Sequence, residues 1–162
     1  MIFVRPVATS DHAEILALAR EAGIGMTSLP PDEDVLAEKI ARSVASTGRR
    51  KEVAGDEAFL FVLEDAASKK LVGTCGIISH VGIKYPFYSY KLSTIVQVST
   101  ELDIYSRQRV LHMVNDYTGA SEIGSLFLLP AYRRDGIGKF LSRCRYTSIA
   151  ELPDLFADIV IS

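Results

Sequence analysis

One stretch constrains the fold more than any other. An apolar β run, Ile123 to Leu129 (IGSLFLL), stops at Pro130, and a helix from about Gly138 to Ala150 follows a basic turn, Arg133-Arg134-Asp135-Gly136-Ile137-Gly138. Proline cannot continue a β ladder, so the strand has a defined end. Glycines in the turn let the backbone take a left-handed conformation and let a ligand approach closely. The first turn of the helix presents N–H groups with no intrahelical acceptor, and the helix dipole favours an anion there. Arg133, Arg134 and Lys139 add positive charge. The pattern reads as a pyrophosphate cradle; glycines before a helix also serve as a plain turn, and the string alone does not separate the two.

Two familiar nucleotide motifs do not fit. The phosphate loop of nucleoside triphosphatases needs a glycine where Arg133 stands and a Ser or Thr where Phe140 follows Lys139. The dinucleotide fingerprint needs its first glycine where Arg134 stands.

The rest of the chain supplies an α/β (α+β) framework in one domain over residues 1–162. Ile2 to Val7 reads as a first strand. Asp11 and Glu14 have capping-box spacing ahead of a helix carrying Ile15, Leu18, Ala19 and Ala22, with Gly23 as its stop. Asp32, Glu33 and Asp34 suit the positive end of a second helix whose apolar stripe is Leu36, Ile40 and Val44. Ser46 to Asp56 is polar, with the basic run Arg49-Arg50-Lys51, and reads as solvated surface. Ala58 to Glu64 and Leu71 to Val81, joined by a polar turn, predict an antiparallel hairpin, with Gly73 and Gly76 as bulge or close-packing points. Tyr85, Phe87, Tyr88 and Tyr90 form an aromatic loop that serves a subunit or domain interface or packs on the sheet, and packing on the sheet is the expectation. Leu92 to Val98 is a further strand and Arg109 to Val114 a candidate one. Phe140, Leu141, Cys144 and Ile149 share a face of the last helix, and Asp158 to Ile161 begins a final strand.

Composition narrows the function. With 48% hydrophobic and 23% charged residues the chain is globular rather than disordered. A net charge of −2 argues against nucleic acid as a partner. No apolar run reaches membrane-spanning length. The cysteines, Cys75 and Cys144, have neither zinc nor Cys-x-x-Cys spacing and read as reduced thiols in a cytoplasmic protein. His12, His80 and His112 lack metal-ligand spacing and read as surface or packing residues, so no metal is expected.

Strand, Arg-x-x-Gly-x-Gly and helix together resemble the acyl-CoA signature of the GNAT acyltransferase superfamily, and the element order β, α, α, β, β, β, β, α, β resembles its fold. The resemblance implies a mixed, mostly antiparallel sheet with flanking helices. It also implies a strand, Ser125 to Leu128, splayed from its neighbour so that a pantetheine arm can reach free backbone groups. More specific strings resemble the arginine N-succinyltransferase family: Val4-Arg5-Pro6-Val7, Thr27-Ser28-Leu29-Pro30, Phe61-Val62-Leu63-Glu64-Asp65, Tyr88-Ser89-Tyr90, and Asn115-Asp116-Tyr117-Thr118-Gly119-Ala120-Ser121-Glu122 leading into Leu126-Phe127-Leu128. They run in family order along nearly the whole chain.

This resemblance implies transfer of succinyl from succinyl-CoA, a co-substrate rather than a resident cofactor, to the α-amine of L-arginine in arginine catabolism. Leu126 matches the family's succinyl-CoA-binding leucine. Leu126, Phe127, Leu128, Arg133, Arg134, Gly136, Gly138 and Lys139 are the expected acyl-CoA residues. Thr27 and Ser28 border the expected acceptor site or form a helix entry; Glu122 orients the amine or is a solvated strand-end carboxylate. The family's proton-donating histidine lies in a second half of longer members. None of the three histidines here matches it, so no catalytic residue is assigned. The implied domain is therefore C-terminally truncated. Two alternatives stay open: another GNAT enzyme using acetyl-CoA, and a non-catalytic acyl-CoA-binding domain. The resemblance also implies an oligomer.

Overall fold

A computed structural model describes residues 1–23, 25–47, 55 and 57–162. The basic run Arg49-Arg50-Lys51 lies outside the described residues. The elements are β1 (Ile2–Pro6), α1 (His12–Ala22), α2 (Glu33–Thr47), β2 (Ala58–Asp65), β3 (Lys70–Ile78), β4 (Ser89–Ser99), β5 (Ile104–Val114), β6 (Ser121–Leu128), α3 (Ile137–Glu151) and β7 (Val160–Ile161). Short 3-10 turns cover Thr9–Asp11, Pro130–Tyr132 and Pro153–Leu155. One sheet has the order β1-β2-β3-β6-β7, antiparallel except for the parallel β6/β7 pair. The expected hairpin is present as β2 and β3, paired from Ala58↔Ile78 to Asp65↔Lys70.

Alternation along the strands divides the core between the two faces of the sheet. Leu60, Val62, Leu71 and Phe127 point to one face and meet Ile15, Leu18, Ala19, Leu29, Leu36 and Ile40 of α1, α2 and their connection. Leu63, Val72, Cys75 and Leu128 point to the other and meet Leu141 of α3. Full burial of a side chain such as Leu36 or Leu141 contributes about 1.5–3 kcal/mol. Phe59, Ile77 and Ile123 continue this second face to Leu155 and Phe156.

Gly23 ends α1 at φ +77°, the left-handed region glycine tolerates. Asp11 and Glu14, however, do not close a capping box. The Asp11 carboxylate turns back to accept hydrogen bonds from the Ala8 N–H at 2.7 Å and from both terminal nitrogens of Arg5. Glu14 accepts from the Leu71 N–H at 2.8 Å. Arg5 also donates to Glu64 at 2.8 Å, so it ties β1 to β2 and to the entry of α1.

Four further expectations are corrected. The buried stripe of α2 runs through Leu36, Ile40, Ser43 and Ser46, while Val44 is exposed. Its hydroxyls are there because β1 ends at Pro6, leaving the start of β2 with open backbone groups. Ser43 Oγ accepts from the Leu60 N–H at 2.7 Å, and Ser46 Oγ accepts from the Ala58 N–H at 3.2 Å. Ser46 is thus buried rather than part of a solvated segment. The tyrosines of the aromatic loop, Tyr85, Tyr88 and Tyr90, are exposed rather than packed on the sheet. Lastly, β4 and β5 pair only with each other, in register from Ser89↔Val114 to Ser99↔Ile104, and form a ribbon apart from the main sheet. The candidate strand Arg109 to Val114 is present as the second half of β5, which brings the strands to seven against the six in the expected element order. Tyr90, Leu92, Val96, Val98, Leu111 and Met113 share one face of this ribbon by register, all exposed.

Among the described residues no helix is long and apolar enough to cross a membrane.

Candidate functional site

The site begins with an irregularity in β6. Thr74 pairs with Phe127 and Gly76 with Gly124, so Ser125 and Leu126 together oppose the single residue Cys75. One extra residue on one strand is a β-bulge. Ser125 takes φ +51°, a left-handed conformation costly for a side-chain-bearing residue. Four hydrogen bonds hold it. Its N–H donates to Ser28 Oγ at 3.1 Å, and its carbonyl accepts from Thr74 Oγ1 at 2.8 Å. Its hydroxyl donates to the Ser28 carbonyl at 3.1 Å and accepts from Lys39 Nζ at 2.8 Å. β7 pairs with β6 only at Ser121 and Glu122, so among the described residues the outer edge of β6 beyond Glu122 has no strand partner.

On one side of the bulge lies a cleft of about 620 Å³. Leu126, Phe127, Leu128, Arg133, Arg134, Gly136, Gly138 and Lys139, the eight residues expected at an acyl-CoA site, all line it, with Ala22, Met26 and Asp135. The Phe127 and Leu128 side chains are buried in the core, so these residues offer the cleft their backbone; Leu126 offers an exposed side chain. Asp135 and Gly136 both take positive φ, +52° and +76°, and turn the chain into α3. The first i→i−4 bond of that helix joins the Phe140 N–H to the Gly136 carbonyl, which leaves the N–H groups of Gly138 and Lys139 ahead of the ladder. Arg133 is partly committed to the fold: its Nε donates to the Leu128 carbonyl at 2.9 Å, and its guanidinium lies 5.9 Å from the Phe127 ring centroid. Arg134 and Lys139 are exposed at the rim.

On the other side lies a smaller cavity of about 250 Å³, bordered by Ser28, Lys39, Ile77, Glu122, Gly124 and Ser125 among others. Ser28 and Glu122, two of the three expected acceptor-site residues, meet here. Thr27 does not; it is exposed on the loop. Glu122 is half-buried, and burial raises its carboxyl above the usual range, against the opposing pull of Lys39. That fits a wall residue better than a solvated strand end.

Lys39 is the residue that sequence reading missed. Desolvation pushes its ammonium down to about 8, with Glu122 acting against the shift and Arg42 adding to it. Its Nζ donates to the Ser28 carbonyl and to Ser125 Oγ, both neutral acceptors. A signal was present: Val35, Glu38, Lys39 and Arg42 recur at i, i+3, i+4 and i+7, and all four border the cavity. Charged residues at that spacing read by default as a solvated helix face.

The cysteines, distant in sequence, face each other. Cys75 Sγ on β3 lies 3.4 Å from Cys144 Sγ on α3. Contact with Cys144 and burial push the Cys75 thiol up, while the same contact pulls Cys144 down. His12 donates to the Glu33 carbonyl at 2.9 Å, and His80 Nδ1 lies 3.1 Å from the Gly55 carbonyl, as packing residues would.

The profile of the arginine N-succinyltransferase beta subunit family matches residues 2–162. An arginine N-succinyltransferase of Yersinia enterocolitica is 41% identical over all 162 residues, which make up 47% of its own length. A solved structure described as arginine/ornithine succinyltransferase subunit AI of Pseudomonas aeruginosa superposes with a TM-score of 0.93 at 35% identity, over 99% of this chain and 49% of that one. The chain thus spans about half the length of these relatives. A GNAT acetyltransferase of Staphylococcus aureus, at 13% identity and a TM-score of 0.54 over 94% of this chain and 68% of its own, shares the fold. The glycine turn, the bulged strand and the order of elements agree with these matches along the whole sequence: the fold is that of the GNAT acyltransferases, and the chain belongs to the arginine N-succinyltransferase family.

Proposed function

We propose that this chain carries the acyl-CoA cradle and part of the acceptor site of an arginine N-succinyltransferase. The observation that carries this reading is the meeting of two cavities at the Ser125–Leu126 bulge: a long cleft running to the first turn of α3, and a compact polar cavity holding Glu122. In the cleft, the N–H groups at the start of α3, with Arg134 and Lys139 at the rim, receive the pyrophosphate. The open edge of β6 offers its backbone groups to the pantetheine arm. That arrangement brings the thioester to the bulge, next to the acceptor cavity.

The reaction is direct transfer. The acceptor amine forms a bond to the thioester carbonyl carbon, the carbon–sulfur bond breaks, the nitrogen loses a proton and the departing thiolate gains one. Holding both reactants in contact removes the entropic cost of bringing them together and so lowers the barrier. Glu122, with its carboxyl raised by burial, is the group placed to take a hydrogen bond and a proton from the amine. The relatives' second half is the expected source of the group that protonates the thiolate. Self-association, which the family resemblance implies, is read by sedimentation velocity.

Calorimetric titration with succinyl-CoA, acetyl-CoA and CoA tests the cradle and the acyl preference together. The double variant Arg134→Ala/Lys139→Ala removes two exposed charges without touching the core, and binding is expected to weaken about tenfold or more. Gly136→Ala, which strains the φ +76° turn, is expected to weaken it as well. Tighter binding of acetyl-CoA than succinyl-CoA would favour a different acyl donor. A folded protein that binds none of the three refutes the cradle.

A further inference from the structure

The acceptor cavity contains a feature that acyl transfer to a simple amine does not need. Lys39 is an ammonium on the buried face of α2, held by the Ser28 carbonyl and Ser125 Oγ and facing a cavity that also presents Glu122. Two neutral oxygens do not neutralise a cation, and a desolvated charge is costly unless something of opposite sign meets it. Glu122 offsets the cost only in part, since burial still dominates at both groups. Arg42 borders the same cavity and raises its positive potential. The lining therefore sets the Lys39 ammonium and Arg42 on α2, with the exposed Glu38 beside them, against the half-buried carboxylate of Glu122 on β6, across a volume of about 250 Å³. Such a division of charge matches a small zwitterion. A free amino acid presents a carboxylate and an ammonium on one carbon, and this acceptor must place its α-nitrogen near the bulge.

We infer that Lys39 binds the α-carboxylate of the acceptor and makes the site selective for amino acids over amines lacking that group. The inference rests on the reading of this cavity as the acceptor site. The carboxylate completes the hydrogen bonding of the ammonium and lowers the cost of burying it. Because the same Nζ donates to Ser125 Oγ, Lys39 joins acceptor recognition to the bulge beside the thioester. Glu122 then faces the α-amine, so the carboxylate anchor also selects which nitrogen of a diamino acid is presented for reaction.

The test compares L-arginine with agmatine, which keeps the guanidinium and an amine but has no carboxylate. Both are titrated calorimetrically into the purified protein in the presence of saturating CoA, using the wild type, Lys39→Met and Lys39→Gln. Circular dichroism and CoA affinity confirm that each variant is folded. The wild type is expected to prefer L-arginine by about 10- to 100-fold, the range of a hydrogen bond to a charged group. Both variants are expected to lose that preference through weaker L-arginine binding, with agmatine and CoA binding unchanged. Equal loss for both ligands would mean that Lys39 only braces the bulge, and would overturn the inference. A wild type that binds CoA but does not discriminate, or that binds neither acceptor, would overturn it too while leaving the cradle intact. Failure to bind CoA removes the reading beneath it.

Discussion

A group recruited for binding at the expense of the fold leaves a mark on stability, and Lys39→Met exposes it. The fall of the Lys39 ammonium from 10.5 to about 8 corresponds to about 3 kcal/mol of folding free energy withheld at pH 7. Methionine of similar length removes that charge. It also removes two hydrogen bonds, at about 1 kcal/mol each, and returns about 1 kcal/mol through apolar burial. The Ser28 carbonyl is not stranded, since Ser125 Oγ still donates to it at 3.1 Å. The variant should therefore be more stable than wild type at pH 7 by about 2 kcal/mol, or about 4–8 °C in Tm for a domain of this size.

The pH dependence is the sharper readout. Between about pH 8 and 10.5 the folded wild type has released the Lys39 proton while the unfolded chain retains it, so wild-type stability rises with pH across that window. The advantage of the variant shrinks through it and is gone, or slightly reversed, near pH 10.5. Urea denaturation of both proteins from pH 7 to 10.5 measures the difference directly, and titrations common to both cancel. A variant less stable than wild type at pH 7, or a gap that does not change with pH, would refute the reasoning that burial of this charge is uncompensated in the free protein.

Other consequences concern the scaffold. A Cβ at Gly73 would lie 2.7 Å from the Phe127 carbonyl and 3.0 Å from Leu141, so Gly73→Ala should force β3 from β6 and lower stability by about 3 kcal/mol, seen as a lower urea midpoint. Ser43→Ala strands the buried Leu60 N–H and should cost about 1–3 kcal/mol by the same assay; Val44→Ala, at an exposed position, should be nearly silent. In the native protein iodoacetamide should alkylate Cys144 before Cys75, which is fully buried with its thiol held protonated; mass spectrometry of peptides reports the order. Equal labelling of both would contradict the packing of α3 on β3.

Much of the site was legible in sequence because its parts are local. Pro130 ends a strand wherever the strand lies, and a left-handed turn residue before a helix asks for glycine, which Gly136 supplies at φ +76°. The eight residues proposed for the cradle sit within fourteen positions, so strand, turn and helix bring them to one cleft with no help from the rest of the chain. The β2–β3 hairpin was legible for the same reason, two β runs joined by a short turn.

The acceptor side was not, because burial is a property of what packs against a residue. Lys39 and Val44 lie on the same helix, and amphipathic periodicity assigns the valine inward and the lysine outward. The tertiary structure reverses the pair: α2 crosses the start of β2 along the edge that β1 leaves open, where hydroxyls are needed, and turns Lys39 toward the bulge. The ribbon of β4 and β5 shows the same limit, since alternation predicts strands but not which sheet receives them. The sequence by itself determined the glycine turn, the helix start proposed to hold an anion and the strand that feeds it, because backbone conformation and helix polarity are local. Only the tertiary structure decided which charges border the second cavity, because that depends on contacts between residues as far apart as Lys39 and Ser125.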